Sequence, residues 1–195
     1  MRTIGSDGVL DVQIHVDEKQ LQEVIRKLDR ARVNVPQAIR NVLNRVARDA
    51  RKQIVQRARA VYYFKPGFKI GNIELTPASA ATLTATLKAQ SRPRTMRQYD
   101  FGVTKAGVKA RVLRSGSRKF LGYDKMRAFV NDSIQGGLIM HRKLRKRYPL
   151  ETDYGPSEAN MYKQAFVGAH GGGPMQGLIE ARLARELNVE LAKYV

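Results

Sequence analysis

The segment 36–60, PQAIRNVLNRVARDARKQIVQRARA, carries the clearest periodic pattern in the chain. Its apolar residues recur at the 3.6-residue period of an α-helix: Ile39, Val42, Leu43, Val46, Ala50, Ile54 and Val55. Pro36 suits the first turn of a helix, and Asn34 is a suitable N-cap. The other positions include seven basic residues and only one acid, Asp49. The pattern therefore predicts a helix over residues 36–60 with one apolar face and one strongly basic face.

The preceding residues predict a strand and a further helix. Residues 9–17 alternate apolar and polar side chains, which is the period of a strand with one buried face. The apolar members of that strand are Leu10, Val12, Ile14 and Val16. Asp17 can cap a helix over residues 18–32. The apolar stripe of that helix is formed by Leu21, Val24, Ile25 and Leu28.

The residues after the long helix predict a sheet and then two helices. Five or six short runs with strand-like alternation fall within residues 73–153 and look antiparallel. Residues 157–166 predict a helix, and the glycines of residues 168–177 predict a flexible hinge. An amphipathic helix is predicted over residues 178–195. Helices followed by a run of antiparallel strands indicate the α+β class, so we expect a single α+β domain over residues 1–167.

The C-terminal helix has two interpretations. A terminal helix behind a glycine hinge is suited to dock on a neighbouring subunit. The candidate docking residues are Leu183, Leu187 and Leu191. The alternative is that the helix packs on its own domain.

The charge of the chain is strongly asymmetric. Its 195 residues include 36 Lys and Arg against 17 Asp and Glu, which gives a net charge of +19. Residues 51–150 alone hold 23 basic and 4 acidic side chains, which indicates a polyanion or an acidic protein surface as a neighbour. The alternative is a solvated basic surface that only keeps the protein soluble. The candidate contacts lie on the basic face of helix 36–60 and in a later basic run: Arg48, Arg51, Lys52, Arg142, Lys143, Arg145, Lys146 and Arg147.

The residues that catalysis would need are absent or scattered. The chain has no Cys, which excludes a thiol nucleophile, a disulfide framework and a Cys-based zinc site. The three histidines, His15, His141 and His170, have no metal-binding spacing, and the four acids of residues 51–150 form no acid–base pair. We therefore expect no enzymatic activity, no metal and no cofactor. No apolar run is long enough to cross a membrane, and the polar residues 1–7 are unlike a signal peptide, so we expect a cytosolic protein or part of a particle assembled in the cytosol.

Sequence-specific recognition of nucleic acid is not indicated. The chain contains no zinc-finger, basic-zipper or RNP-type motif. Tyr62, Tyr63, Phe64 and Phe68 can either stack on bases or belong to the core. Any contact with nucleic acid is therefore expected to involve the backbone and to weaken as salt is added.

Three parts of the chain resemble a known family. They are the basic helix leading into residues 57–65 and 73–80, the block 112–130 that ends Arg127-Ala128-Phe129-Val130, and the block 137–161. The last block contains Met140-His141-Arg142, Arg147-Tyr148-Pro149-Leu150 and Tyr154-Gly155-Pro156-Ser157. In these segments, which together span most of residues 36–195, the chain resembles the minor tail protein Z group of phages, also called tail completion or neck proteins.

The resemblance implies a structural protein of the virion that is made in the cytoplasm of the host bacterium. It implies a homo-oligomeric ring of six subunits between the head connector or adaptor and the tail terminator or tube, with DNA passing non-specifically through the lumen. It supplies no catalytic residues. The alternative function is a free, non-specific nucleic-acid-binding protein that acts through its basic surface.

Overall fold

The fold is described from a computed structural model of the chain. The structure describes residues 2–3, 9–17, 22–23, 25–26, 34–134 and 136–193. The helices are α1 (Val35–Val61), α2 (Glu158–Val167) and α3 (Met175–Leu191). The strands are β1 (Arg2–Thr3), β2 (Val9–His15), β3 (Glu74–Thr76), β4 (Thr84–Gln90), β5 (Pro93–Thr95), β6 (Asp100–Thr104), β7 (Gly107–Arg111), β8 (Lys119–Phe120), β9 (Gly122–Tyr123), β10 (Met126–Arg127), β11 (Phe129–Asn131), β12 (Leu138–Arg142), β13 (Leu150–Thr152) and β14 (Tyr154–Ser157). The pairings between these strands are antiparallel, and the protein has an α+β fold.

Helix α1 forms where the sequence predicts it. Asn34 caps its first turn, since the side-chain oxygen accepts a hydrogen bond from the backbone N–H of Gln37 at 3.3 Å. Pro36 lies in that turn, where a missing N–H costs nothing. The helix buries its apolar face: Ala38, Ile39, Val42, Leu43, Val46, Ala47, Ala50, Ile54 and Ala58.

The main sheet lies against α1 and α2. Its strand order is β1-β2-β4-β3, and Leu10 pairs with Ala89 while Val12 pairs with Leu87. Every second side chain of β2 is buried, so one face of the sheet joins the helices in the main hydrophobic core. Helix α3 packs on α1 and α2 and contributes to the same core.

The strands between residues 93 and 157 form a second layer of structure, the β-rich lobe. Its small sheets are β6-β7-β8, β9-β10 and β11-β12-β13, and β5 pairs with β14. Val108, Ala128 and Ile139 form its own small core. The lobe joins the end of α1, because the backbone N–H of Tyr63 donates to the carbonyl of Val112 at 2.8 Å.

The predicted elements are partly confirmed. The strand over 9–17 and the helices over 36–60 and 157–166 are present. Most of the predicted helix over 18–32 lies outside the described residues. Within that range, residues 22–23 and 25–26 are described, and they are helical. The prediction of five or six strands over 73–153 was wrong in number: the described residues of that range form eleven, because two-residue strands such as Lys119–Phe120 and Gly122–Tyr123 lie beside the predicted ones.

The boundaries of the C-terminal elements also differ from the prediction. Helix α3 begins at Met175, so the connection covers residues 168–174 and Gly177 lies within the helix. The α2 helix ends at Gly168, whose left-handed conformation (φ 74°) is one that glycine adopts readily. Arg57 of α1 contacts this connection, since its Nη1 donates a hydrogen bond to the carbonyl of Gly173 at 2.8 Å.

Candidate polyanion-binding surface

The outer face of α1 presents a stripe of cations. Arg48, Lys52 and Arg59 follow one another at spacings of four and seven residues, which places them on one side of the helix, opposite the core face. All three are exposed, and so is the neighbouring Arg51. Within the part of the chain that the structure describes, Arg48, Arg51 and Lys52 form no ion pair. Their charge is therefore available to a partner.

The flank of α1 that meets α3 is neutralised. Arg45 Nη1 lies 2.7 Å from the Glu186 carboxylate, and Arg182 Nη2 lies 2.8 Å from the other oxygen of that group. Arg182 also lies 3.2 Å from Asp49. Glu186 and Glu190 are nearly fully buried, so the acidic C-terminal helix is the internal partner of this part of the basic helix.

The candidate docking leucines lie in the chain's own core. Leu183, Leu187 and Leu191 are 5%, 5% and 7% exposed. They repeat every four residues along α3 and face α1 and α2 together with Met175 and Ile179. The prediction that they dock on another subunit is therefore corrected: the apolar face of α3 is already covered by the chain itself.

The cationic stripe continues from α1 into the β-rich lobe. Arg114 Nε donates to the carbonyls of Arg59 at 3.1 Å and Tyr62 at 3.2 Å. The guanidinium of Arg111 lies 4.4 Å from the centre of the Tyr63 ring, and that of Arg114 lies 5.6 Å from it. Cation–π contacts of this kind hold the two guanidinium groups over one ring without cancelling their charge.

The sheet β6-β7-β8 extends this surface. Lys109 and Arg111 alternate along β7 and therefore share a face, and Lys109 pairs with Phe120 of β8. The Phe120 ring is 45% exposed. Two cations lie close to it, Lys109 Nζ at 4.3 Å and the Arg127 guanidinium at 4.5 Å from its centre. An exposed aromatic ring among cations is typical of surfaces that contact nucleic acid.

One carboxylate lies within this surface. Asp100 accepts a hydrogen bond from Arg118 and lies 3.0 Å from the Nη2 of Arg111. The hydrogen bond from Arg118, followed by the charges of Arg118 and Arg111, holds the pKa of Asp100 below its ordinary value despite partial burial. The carboxylate orients two guanidinium groups and leaves a surplus of positive charge.

We call these cations of α1 and the β-rich lobe together the basic track. It consists of Arg48, Arg51, Lys52, Arg59, Lys109, Arg111, Arg114, Arg118 and Arg127. The sequence predicted Arg48, Arg51 and Lys52 as contacts but not Arg59 or the members in the β-rich lobe. The alternation of Lys109 and Arg111 within a predicted strand was the available signal.

The second set of predicted contacts lies at the end of β12 and in the turn between β12 and β13. All five side chains are exposed: Arg142, Lys143, Arg145, Lys146 and Arg147. Lys143 Nζ lies 2.9 Å from Glu151, and this hydrogen bond lowers the pKa of the Glu151 carboxyl and raises the pKa of the Lys143 amine. Arg147 stacks near Tyr148 at 5.7 Å. These residues lie on a different element from Arg48, Arg51 and Lys52, and the charge of Lys143 is neutralised by Glu151.

The three candidate histidines lie on different elements: His15 in β2, His141 in β12 and His170 in the connection before α3. His141 is buried, with its Nδ1 3.2 Å from Asp153, whose pKa is raised by burial against the opposing effect of His141. His170 lies 3.5 Å from the hydroxyl of Tyr62. Among the described residues, no group of three or more His, Cys, Asp or Glu is arranged to hold a metal ion.

The aromatic residues after α1 were predicted either to stack on bases or to belong to the core, and the structure places them differently from one another. Tyr62 is buried in the main core, and the rings of Phe64 and Phe68 stack with their centres 5.1 Å apart and pack against the same core. Tyr63 instead lies beneath Arg111 on the basic track. The core interpretation is therefore right for Tyr62.

Comparison with known proteins gave no assignment. No protein-family model, curated protein or solved structure matches this chain. Of the helices that the structure describes, none has the length and apolar character that a membrane span requires.

Proposed function

We propose that this chain is a structural, non-catalytic protein of the neck of a tailed phage. In this role, six copies form a ring that completes the tail, joins it to the head connector and surrounds the passage of DNA. The basic track is the observation that carries the proposal, and the segments that resemble tail completion proteins supply the phage context.

The charge of the basic track suits a polyanion with a repeating backbone. Duplex DNA carries one negative charge per about 1.7 Å of its axis. The stripe from Arg48 to Arg59 extends over about 16 Å at the rise of an α-helix, and it continues over the β-rich lobe. Exposed cations on such a surface contact phosphates without reading bases, and solvent screens each contact. Such contacts guide DNA through a lumen without holding it in place.

The test of this proposal is electron microscopy of particles from the phage that encodes the protein after its gene is deleted. We expect tails of abnormal length or tails not joined to heads. Expression of the intact chain from a plasmid should restore normal particles. Complete, infectious particles in the absence of the protein would refute the proposal.

A second candidate function is supported by the exposed ring of Phe120 and the partly exposed ring of Tyr63 beside cations. These rings suit a free nucleic-acid-binding protein that stacks on unpaired bases. Sedimentation of the purified protein with and without DNA separates the two functions. The second function predicts a monomer or dimer that binds tightly at about 50 mM salt and loses affinity steeply by about 200 mM.

A further inference from the structure

A cleft opens beside the basic track where the loop after α1 turns back on the helix. Its volume is about 390 Å³, within the range of small-molecule sites. Four cations line it, Arg59, Lys65, Lys69 and Arg114, and no carboxylate is among its lining residues. These charges come from three parts of the chain and converge on one concave surface.

Backbone hydrogen bonds fix the two guanidinium groups. Arg59 Nη2 donates to the carbonyl of Ile70 at 2.6 Å, and Arg114 Nε donates to the carbonyls of Arg59 and Tyr62. A guanidinium has five N–H donors, so each retains donors for a ligand. Because their partners are neutral carbonyls, the positive charge of both groups remains without a counter-ion.

Lys65 also lines the cleft, and its ammonium group, which lies over a ring outside the lining, would turn from that ring to reach a bound anion. Its Nζ lies 3.8 Å from the centre of the Phe101 ring. Burial, followed by the nearby charge of Arg97, lowers the pKa of the Lys65 amine, while Asp100 opposes the shift. Lys69 is exposed at the rim of the cleft.

The rest of the cleft lining is uncharged and has two aromatic rings, which we call the aromatic wall, beside Pro66, Gly67 and Ile70. The rings are those of Phe64 and Phe68, and both are partly buried. A ligand that contacts both the cations and the aromatic rings carries an oxyanion on one part and a flat or apolar group on another.

We propose that this cleft binds a single phosphate group of a nucleotide, with the phosphate against the four cations and the nucleoside against the aromatic wall. The inference goes beyond the neck function, which needs only diffuse contacts along DNA. The nucleotide has two sources with the same chemistry, a free nucleotide and a residue of a DNA strand.

Titrations followed by amide NMR of the full chain test the inference. The probes are inorganic phosphate, thymidine monophosphate and a short thymidine oligonucleotide without a terminal phosphate. We expect saturable one-to-one shifts at residues 59, 64, 65, 67–70 and 114, with thymidine monophosphate binding more tightly than inorganic phosphate. Tighter binding of the monophosphate than of the oligonucleotide identifies a free nucleotide or a strand end as the source, and the reverse identifies an internal position of a strand.

Matched variants separate a discrete site from general attraction. Lys65→Gln combined with Lys69→Gln should weaken the binding of thymidine monophosphate at least about 10-fold, because charge-assisted hydrogen bonds to phosphate are lost. Lys88→Gln combined with Lys125→Gln removes the same charge from exposed positions outside the cleft and should change affinity less than about 2-fold. Lys69→Gln alone changes only an exposed side chain, so it tests binding in the cleft without altering the core.

Three results would overturn the inference: shifts that do not saturate, equal weakening by both double variants, or equal affinity for inorganic phosphate and thymidine monophosphate. Any of them leaves the neck function intact if deletion of the gene still prevents the joining of heads and tails. Normal particles after deletion, together with saturable binding in the cleft, would instead refute the neck function alone.

Discussion

Replacement of Leu183 by Ala tests whether α3 belongs to the core of its own chain. Leu183 is 5% exposed and faces α1 and α2, whereas Leu178, on the same helix, is 49% exposed. Truncation of a buried leucine removes apolar contacts and leaves a cavity, which costs about 2–5 kcal/mol. The same change at an exposed position costs within about 0.5 kcal/mol. Leu183→Ala and Leu178→Ala are therefore a matched pair that differs only in burial.

The assay is urea unfolding followed by circular dichroism, with a thermal scan as a second measurement. For a chain of this size, each kcal/mol shifts the melting temperature by about 2–4 °C, so Leu183→Ala should melt roughly 4–20 °C below the intact chain. Leu178→Ala should melt within about 2 °C of it. Equal stability of the two variants, together with loss of self-association in Leu183→Ala alone, would refute the packing described here and restore the docking interpretation.

Three further substitutions test the contacts around this core and surface. Glu186→Gln should destabilise the fold by about 1–3 kcal/mol in urea, because the buried carboxylate no longer accepts charged hydrogen bonds from Arg45; an unchanged midpoint would contradict this. Gly155→Ala should cost about 1–3 kcal/mol in the same assay, since an added Cβ would lie 2.5 Å from the buried ring of Tyr99; a neutral effect would show that the ring can move. The pKa of Asp100 is lowered in the folded state, so its pairing contributes stability above the unfolded-state pKa of about 3.9 and this contribution is lost as the pH falls through the folded-state pKa. Asp100→Asn should remove this part of the acid dependence of unfolding below about pH 5, and an identical pH profile would contradict the pairing.

The sequence predicts the elements whose pattern is local. The period of α1 follows from residues such as Val42 and Val46, and β2 follows from the strict alternation around Val12. The two-residue strands of the β-rich lobe, such as Lys119–Phe120, are too short for a period to emerge. The apolar stripe of α3 predicts a buried face but not the surface that buries it.

The candidate surface is likewise predictable only where its residues are close together in the sequence. Arg48 and Lys52 share a helix face, so their alignment follows from spacing alone. The approach of Arg114 to Arg59 joins residues 55 positions apart. The pairing of Asp100 with Arg118 depends on the turn between strands. Contacts of this kind depend on the folded topology and are not encoded in any single segment.

The most direct measurement is the ability of track variants to restore particles in a phage that lacks the gene. Arg48→Gln combined with Lys52→Gln removes two exposed charges from the basic track, and Lys88→Gln combined with Lys125→Gln removes two from elsewhere. Circular dichroism first checks that all the variants are folded. We then expect the track variant to give fewer joined particles and lower infectivity, and the control to match the intact chain. Full restoration by the track variant would contradict the claim that its cations face a polyanion in the assembled particle.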